Sequence, residues 1–200
     1  MRLPPRPFRG VTLFESLASL AVLFSLVALG LPVVAQIGGQ AGLRAACNQV
    51  ASHLHQARSR AAARRVDVGV RWVAAGGDAT LYVYEDGNGN GVLSADVLSG
   101  VDRLVAGPYS LRVKDPSISF SFFPGFHGPD PGGSPIGNLA DPYRLGEANM
   151  TTFSAVGHAS PGTVYLSDGR GRQGAVRISP GSGRIQLYEW RPGSRRWEPV

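Results

Sequence analysis

The chain has 200 residues, and its 27 glycines and 15 prolines concentrate after residue 75, which indicates short strands and long loops rather than a helical bundle. A single cysteine, Cys47, excludes an internal disulfide and any cysteine-based zinc site. The net charge of +6 is unevenly spread, because the three arginines among residues 1–10 supply half of it, whereas residues 66–200 carry 12 basic and 13 acidic side chains.

Residues 1–10 form a basic leader without an acid, and residues 16–37 form a run of 22 residues without a charge. A helix of that length is about 33 Å long, enough to cross the hydrocarbon core of a bilayer. Because basic segments stay on the cytoplasmic side, we expect the rest of the chain to lie outside. A secretory signal cleaved near Ala35 and an uncleaved anchor are alternatives, but neither explains the acid Glu15 directly before the run.

The octet Gly10-Val11-Thr12-Leu13-Phe14-Glu15-Ser16-Leu17 resembles the class III signal of type IV pilins and type II secretion pseudopilins, and Pro32 falls where many family members carry a proline. The resemblance implies that a prepilin peptidase cuts after Gly10 and methylates the new amino terminus on Val11, where phenylalanine is usual. It also implies that Glu15 is the fifth residue of the mature chain, and that this helix joins other pilin-like subunits.

Glu15 has a physical reason to promote assembly. After cleavage, the positive amine of Val11 would lie one helical turn from the Glu15 carboxylate, and charges are costly in lipid. When helices pack side by side, each carboxylate can neutralise the amine of a neighbouring chain, and such a pair is stronger in a low dielectric. Glu15 and Pro32 are therefore the predicted assembly residues.

Residues 38–66 predict an amphipathic helix. Apolar residues recur there at spacings of four and three, which defines a single stripe. The stripe consists of Leu43, Cys47, Val50, Leu54, Ala57 and Ala61. Five arginines and no acid surround it between residues 44 and 65. We interpret the segment as a helix laid on a sheet with a solvated basic face, rather than as a nucleic-acid site.

Residues 67–200 predict a β-rich domain, because the hydrophobic period changes there from helical to alternating. The alternation of Val66, Val68 and Val70 and that of Leu81 and Val83 flank a turn at residues 75–78, which predicts a hairpin. Further strands are predicted at 101–106, 109–113, 117–123, 151–156, 162–167, 174–179 and 184–190. The stretch 124–148, rich in glycine, proline and aspartate, predicts a long exposed excursion.

Residues 86–91 begin like an EF-hand loop, with Asp86, Asn88 and Asn90 at alternate positions and glycine at the sixth. The twelfth position, where a bidentate glutamate belongs, is Val97, and the loop follows a strand. The alternative is a hairpin turn whose glycines and asparagines tolerate positive φ, and the sequence favours it over calcium. We expect no metal and no cofactor.

Two arginine motifs resemble the Gly-Arg-x-Arg element through which some FimT-like minor pilins bind DNA. Residues 169–172 match the Gly-Arg-x-Arg pattern but lie in a predicted loop. Residues 183–186 carry Gln186 in place of the second arginine. The candidate DNA-binding residues are Arg170, Arg172, Arg184, Arg191, Arg195 and Arg196, with aromatic side chains nearby for stacking. An amphipathic terminal strand at the sheet edge is the alternative, and the sequence favours it.

The predicted fold is α+β: a long N-terminal helix, membrane-spanning in its first half and amphipathic in its second, packed on a β-rich domain of two sheets, as in pilins. The expected organisation is a leader (1–10), a transmembrane and assembly helix (11–37), an amphipathic helix (38–66) and a domain that resembles the GspH/FimT family (67–200).

The resemblance implies a minor pseudopilin of a type II secretion system. Such a subunit is held in the bacterial inner membrane with a periplasmic C-terminal domain, is processed by prepilin peptidase and assembles with other pseudopilins. A FimT-like minor pilin, active in pilus assembly or DNA uptake, is the alternative. We expect no enzymatic activity, since the sequence lacks a phosphate-binding loop, a His-Glu-x-x-His motif and a Gly-x-Ser-x-Gly motif.

Overall fold

The computed structural model describes residues 13–75, 78–111 and 117–200, without the side chains of residues 28–39, 75 and 147. Two units make up the chain, divided between Gly38 and Gly39. Helix α1 (Leu13–Arg64) begins in the first unit and ends in the second. The second unit carries the strands, and its fold is described here.

In the described part of the chain, nine strands and a short α-helix follow α1. They are β1 (Val68–Ala75), β2 (Asp78–Glu85), α2 (Ser94–Ser99), β3 (Arg103–Leu111), β4 (Tyr143–Arg144), β5 (Met150–Phe153), β6 (Gly162–Ser167), β7 (Gln173–Ile178), β8 (Ile185–Arg191) and β9 (Arg196–Pro199). Neighbouring strands pair antiparallel in two sheets, sheet A in the order β3-β2-β1-β5 and sheet B in the order β4-β6-β7-β8-β9. The α+β class and the two sheets are as predicted.

The second half of α1 packs on the sheets through the predicted stripe. Each of its six residues, from Leu43 to Ala61, exposes 4 % or less of its surface. Cys47 is among them and packs as a small apolar side chain, as its place in the stripe predicts. The amphipathic helix is therefore confirmed, since the spacing of four and three turns one face of the helix toward the core.

One core joins this helix to both sheets. Sheet A contributes alternate residues of β1 and β2, among them Val68, Val70 and Leu81, while Tyr82 and Tyr84 point to the other face. Sheet B contributes Val164, Leu166, Val176 and Ile178. Ala75 pairs with Asp78 at the end of the predicted hairpin, whose turn residues 76 and 77 lie outside the described residues.

The predicted exposed excursion at residues 124–148 is wrong for Phe126, Tyr143 and Leu145, whereas Leu139 is exposed as predicted. Phe126 exposes 1 % of its surface, and Tyr143 and Leu145 are also buried. The reason lies in sheet B, whose face opposite α1 carries the aromatic side chains of Tyr165 and Trp190. Burial of these rings is favourable, and Phe126 packs against Trp190 with ring centroids 5.1 Å apart.

The strand predictions before this segment also need correction. Residues 101–106 and 109–113 do not form two strands, because residues 103–111 continue as the single strand β3. Residues 117–123 are not a strand: Ser119 makes one isolated bridge with Ser167. The segment lies over sheet B mainly through side chains, with Ile118 and Phe120 in the core.

Asp130 fixes the covering segment to sheet B. Its Oδ1 accepts a hydrogen bond from Arg177 Nη1 at 2.7 Å, and its Oδ2 accepts hydrogen bonds from Thr163 Oγ1 at 3.0 Å and the Tyr165 hydroxyl at 3.2 Å. Burial, and then the Asp130 carboxylate, raise the pKa of Tyr165, so its hydroxyl keeps its proton and donates. Three residues of sheet B thus hold one carboxylate.

Candidate assembly helix and arginine surface

The first turns of α1 present an apolar surface on every side. All residues from 13 to 27 are exposed, including Leu13, Phe14 and Phe24, each of which exposes more than 70 % of its surface. Contiguous exposed apolar surface of this kind marks a contact with protein or membrane. The surface belongs to the same residues that carry the predicted assembly element.

The polar side chains in this segment are compatible with an apolar environment. Ser19 Oγ donates to the Glu15 carbonyl and Ser25 Oγ donates to the Ala21 carbonyl, both at 2.8 Å. Such bonds to the carbonyl four residues earlier satisfy a hydroxyl within its own helix. Glu15 lies in the first turn of α1, where a negative charge is favoured by the helix dipole.

The remaining predicted processing and assembly residues are only partly described. Gly10 and Val11 lie outside the described residues. Pro32 lies within α1, and its side chain is not described. None of the helices among the described residues combines the length and the apolar composition that a membrane span requires.

Five of the six candidate arginines lie at one end of sheet B. Because β6, β7, β8 and β9 alternate in direction, the β6–β7 turn and the β8–β9 turn lie at the same end. The first turn carries Arg170 and Arg172, and the second hairpin carries Arg191, Arg195 and Arg196. The sixth, Arg184, lies in the β7–β8 turn at the opposite end, so the structure separates it from the others.

Strand register aligns three of these arginines. Gly174 pairs with Glu189, and Glu189 pairs with Glu198. Continuing that register by two residues brings Arg172 opposite Arg191, which pairs directly with Arg196. Since side chains two residues apart on a strand share a face, Arg191 and Arg196 lie on the same face as Gly174 and Glu189. Together with Arg172, in the turn directly before β7, they form the arginine row (Arg172, Arg191 and Arg196).

Helix α1 packs on that same face. The Arg44 guanidinium donates to Glu189 Oε2 at 3.0 Å, and Gln40 Nε2 donates to Glu189 Oε1 at 3.3 Å. At the other end of β8, Arg58 donates to the carbonyl of Ser182 at 3.2 Å. The helix therefore runs antiparallel to β8, and the arginine row lies beyond Glu189 on the side from which the chain enters the domain.

Acidic side chains balance part of this charge. Arg191 Nε donates to Glu198 Oε2 at 2.8 Å across the β8–β9 pair, and both side chains are about half exposed. Asp168 Oδ1 accepts hydrogen bonds from the backbone N–H groups of Arg170 and Arg172, which shapes the β6–β7 turn.

The strand predicted at 184–190 is not the edge of the sheet, because β9 pairs with β8 and forms the edge itself.

The Asp86 loop is closed by its own hydrogen bonds. Asp86 accepts the backbone N–H groups of Asn88, Gly89 and Gly91 at 2.8–3.0 Å, and the amides of Asn88 and Asn90 both donate to Asp96 Oδ2. Burial alone would raise the pKa of Asp86, but the backbone hydrogen bonds lower it. Among the described residues, no group of three or more His, Cys, Asp or Glu side chains is placed to hold a metal ion.

Sequence reasoning missed the contacts that organise these surfaces. Asp102 is buried and accepts the N–H groups of Gly87 and Leu93, which closes the Asp86 loop from behind. Glu189 is buried and receives Arg44 and Gln40 from a helix about 145 residues earlier in the chain. Alternation in β8 was the available signal for Glu189, since it shares a face with the apolar residues Ile185 and Leu187.

The family match agrees with the resemblance of the N-terminal octet. Residues 46–144 match the model of the family described as type II transport protein GspH. The chain is also similar to the crystal structure of the type IV minor pilin FimU of Pseudomonas aeruginosa, at 16 % identity and a TM-score of 0.43, over 80 % of this chain and 94 % of that one. No curated protein matches the chain. The family match over residues 46–144 and the N-terminal octet both support a pilin-like protein of the GspH/FimT type.

Proposed function

We propose that this protein is a minor pseudopilin of a type II secretion system: a non-catalytic subunit that is held in the inner membrane by residues 16–37, is processed by prepilin peptidase and joins a periplasmic pseudopilus through its N-terminal helix. The match of residues 46–144 to the GspH family is the observation that carries the proposal. A FimT-like minor pilin of a type IV pilus is the alternative.

The exposed apolar surface of residues 13–27 supports an assembly role. Side chains such as Leu17, Leu20 and Leu23 each expose more than half of their surface. Exposing this much contiguous apolar surface to water is unfavourable for a monomer. Transfer of such surface out of water is worth about 25 cal/mol per Å², so the segment gains by entering lipid or by packing against other helices. Both environments belong to the proposed function.

Glu15 supports assembly over a purely passive anchor. An acid near the membrane interface is tolerated but unfavourable in an anchor that has only to span. In a filament the Glu15 carboxylate can pair with the methylated amine of Val11 from a neighbouring subunit, in an environment of low dielectric. We therefore assign Glu15 to subunit joining.

The hydrogen bonds of the conspicuous polar groups support a structural role. The conspicuous polar groups of the described residues serve the fold: Asp130 holds the covering segment, Asp86 and Asp102 shape a loop, and Glu189 pairs with α1. The DNA-binding alternative has less support than assembly, since one candidate, Arg184, lies at the opposite end of sheet B from the other five.

A deletion strain of the source bacterium tests the proposal. Deletion should abolish export of type II substrates, and a plasmid copy of the natural chain should restore it. Glu15→Ala should reach the membrane but fail to restore export, whereas the control Glu198→Gln, which alters an exposed acid of the domain, should restore it. Loss of surface pili with normal export would favour the pilus alternative, and unchanged export and pili would reject both functions.

A further inference from the structure

The arginine row lies where the chain enters the domain. Gln40 contacts Glu189, and the row begins two residues beyond Glu189 on β8. Only residues 38 and 39 separate Gln40 from Ile37, the last residue of the predicted membrane segment. Three peptide units span at most about 11 Å even when fully extended, which is the length of backbone that joins the two residues.

The charge at this end of sheet B is predominantly positive. Six arginines lie there, namely Arg44, Arg170, Arg172, Arg191, Arg195 and Arg196. Three acids accompany them, Asp168, Glu189 and Glu198, which leaves an excess of three positive charges. Arg170, Arg195 and Arg196 are exposed, so their guanidinium groups are accessible to a partner.

The ion pairs within this surface do not prevent it from binding an anion. Arg191 and Glu198 are both about half exposed, and a pair of that kind contributes little because water screens it. Arg191 Nη1 also lies 3.7 Å from Glu189 Oε1, and Arg172 Nε lies 4.0 Å from Asp168 Oδ2, but both distances are longer than a hydrogen bond. Glu189 accepts its hydrogen bonds from Arg44 and Gln40 of α1. A guanidinium group can bind a phosphate through two parallel hydrogen bonds, which makes phosphate the anion that suits these side chains best.

We propose that the arginine row, with Arg44 and Arg195, is a contact surface for the anionic headgroups of phospholipids in the membrane that holds residues 16–37. The contact would orient the domain on the membrane before assembly. This inference rests on the membrane anchor of the proposed function. For each arginine that reaches an anionic membrane surface, the partition coefficient of a juxtamembrane basic cluster onto that membrane increases about fivefold.

Energy transfer to labelled lipids in proteoliposomes tests this contact. The full chain carries a donor dye on Ser194→Cys, in the exposed β8–β9 turn, and the acceptor is attached to lipid headgroups. Native Cys47 should not react, because burial and then the Glu189 carboxylate raise the pKa of its thiol to about 12. A donor on Val156→Cys is the matched control, since His158 in the same loop contacts Gly181 in the β7–β8 turn at the opposite end.

Transfer from position 194 should be greater in vesicles that contain phosphatidylglycerol than in vesicles of phosphatidylcholine alone, and transfer from position 156 should not increase. The difference should disappear at roughly 1 M salt, where the Debye length is about 3 Å. Changing Arg172, Arg191 and Arg196 to glutamine should remove most of the increase. Changing Arg58, Arg103 and Arg184 to glutamine removes the same charge elsewhere and should leave it intact.

The outcomes separate this inference from the anchor. Alkaline extraction and flotation show whether the chain is inserted. If it is inserted but energy transfer from position 194 does not depend on lipid charge, the proposed headgroup contact is wrong and the proposed membrane anchor is retained. If the chain does not insert into any vesicle, both are wrong. If a DNA duplex binds the full chain through the arginine row while lipid charge has no effect, the surface belongs to nucleic acid and the headgroup contact is rejected.

Discussion

At the scale of single residues, Asp130 has the largest predicted effect on stability. It accepts hydrogen bonds from Arg177, Thr163 and Tyr165 and so holds residues 117–142 on sheet B. Asp130→Ala would leave a half-buried guanidinium without its carboxylate. We expect the free energy of unfolding to fall by about 2–3 kcal/mol, less than the loss for a fully buried pair because both side chains retain some exposure.

Urea denaturation of a chain that begins at Gly39 measures this loss, since all core residues lie between Leu43 and Ile185. The matched control is Glu198→Ala, which removes the acid from an exposed pair and should cost about 0–1 kcal/mol. Equal losses for the two variants would show that the Asp130 contacts do not hold the covering segment.

Asp86 makes a second residue-scale prediction, on the dependence of stability on pH. Burial acts to raise its pKa, but hydrogen bonds from backbone N–H groups outweigh it and lower the pKa below the ordinary value of 3.8. A lowered pKa in the folded state stabilises the protein above the ordinary pKa, and that contribution is lost as the pH falls through the folded pKa.

The stability difference between the natural chain and Asp86→Asn should therefore be larger at pH 7 than near pH 3. Urea denaturation at the two pH values measures it. A difference that stays constant with pH would contradict the assignment of the lowered pKa to the folded loop. We predict the direction of this change, because Asp86 is only partly buried and water screens part of the effect.

At the scale of elements, α1 approaches β7 closely at one point. A Cβ added at Gly174 would lie 2.6 Å from Cys47 Sγ, closer than non-bonded atoms approach each other. Gly174→Ala should cost about 1–3 kcal/mol through overpacking. Because the next contacts, to Leu43, are 3.5 Å away, removal of the sulfur should relieve the strain.

A double-mutant cycle with Cys47→Ala tests this explanation. Gly174→Ala should cost much less in the Cys47→Ala chain than in the natural chain, which gives a coupling energy of about 1 kcal/mol or more between the two sites. Additive losses would mean that helix and sheet do not meet through these two residues.

The sequence predicted elements whose pattern is local. The stripe from Leu43 to Ala61 repeats with the helical period, and β1, β2 and β6 alternate with the strand period, so burial of one face follows from spacing alone. Residues 117–142 lack such a period, because aromatic rings and Asp130 hold them on sheet B without extended backbone pairing. Strand β9 is only four residues long and follows a turn, so its pattern was too short to read.

The candidate sites also divide into those with a local sequence pattern and those that depend on contacts between distant segments. The octet around Glu15 could be recognised because it is contiguous in sequence. The alignment of Arg172 with Arg191 and Arg196 could not, because it depends on the register of three strands. Glu189 was missed for a related reason, since its partners Arg44 and Gln40 lie on a helix at the other end of the chain.

At the scale of the whole molecule, the two units require different surroundings. The domain from Gly39 onward encloses its own core. Residues 13–27 of α1 expose apolar side chains all around, and such surface is favoured in lipid or among other helices. In the proposed function, membrane residence and subunit joining belong to the first unit, and the surface presented to partners belongs to the second.

Mass spectrometry of the mature N-terminus tests this account most directly. The chain isolated from bacterial membranes should begin at Val11 with a methylated amine, because the account requires cleavage after Gly10 and a charged amine near Glu15. A Gly10→Asp chain should keep its leader in the same experiment and serve as the control. A mature chain that begins after Ala35, or one that still begins at Met1, would contradict the assignment of this helix as a pilin-type assembly element.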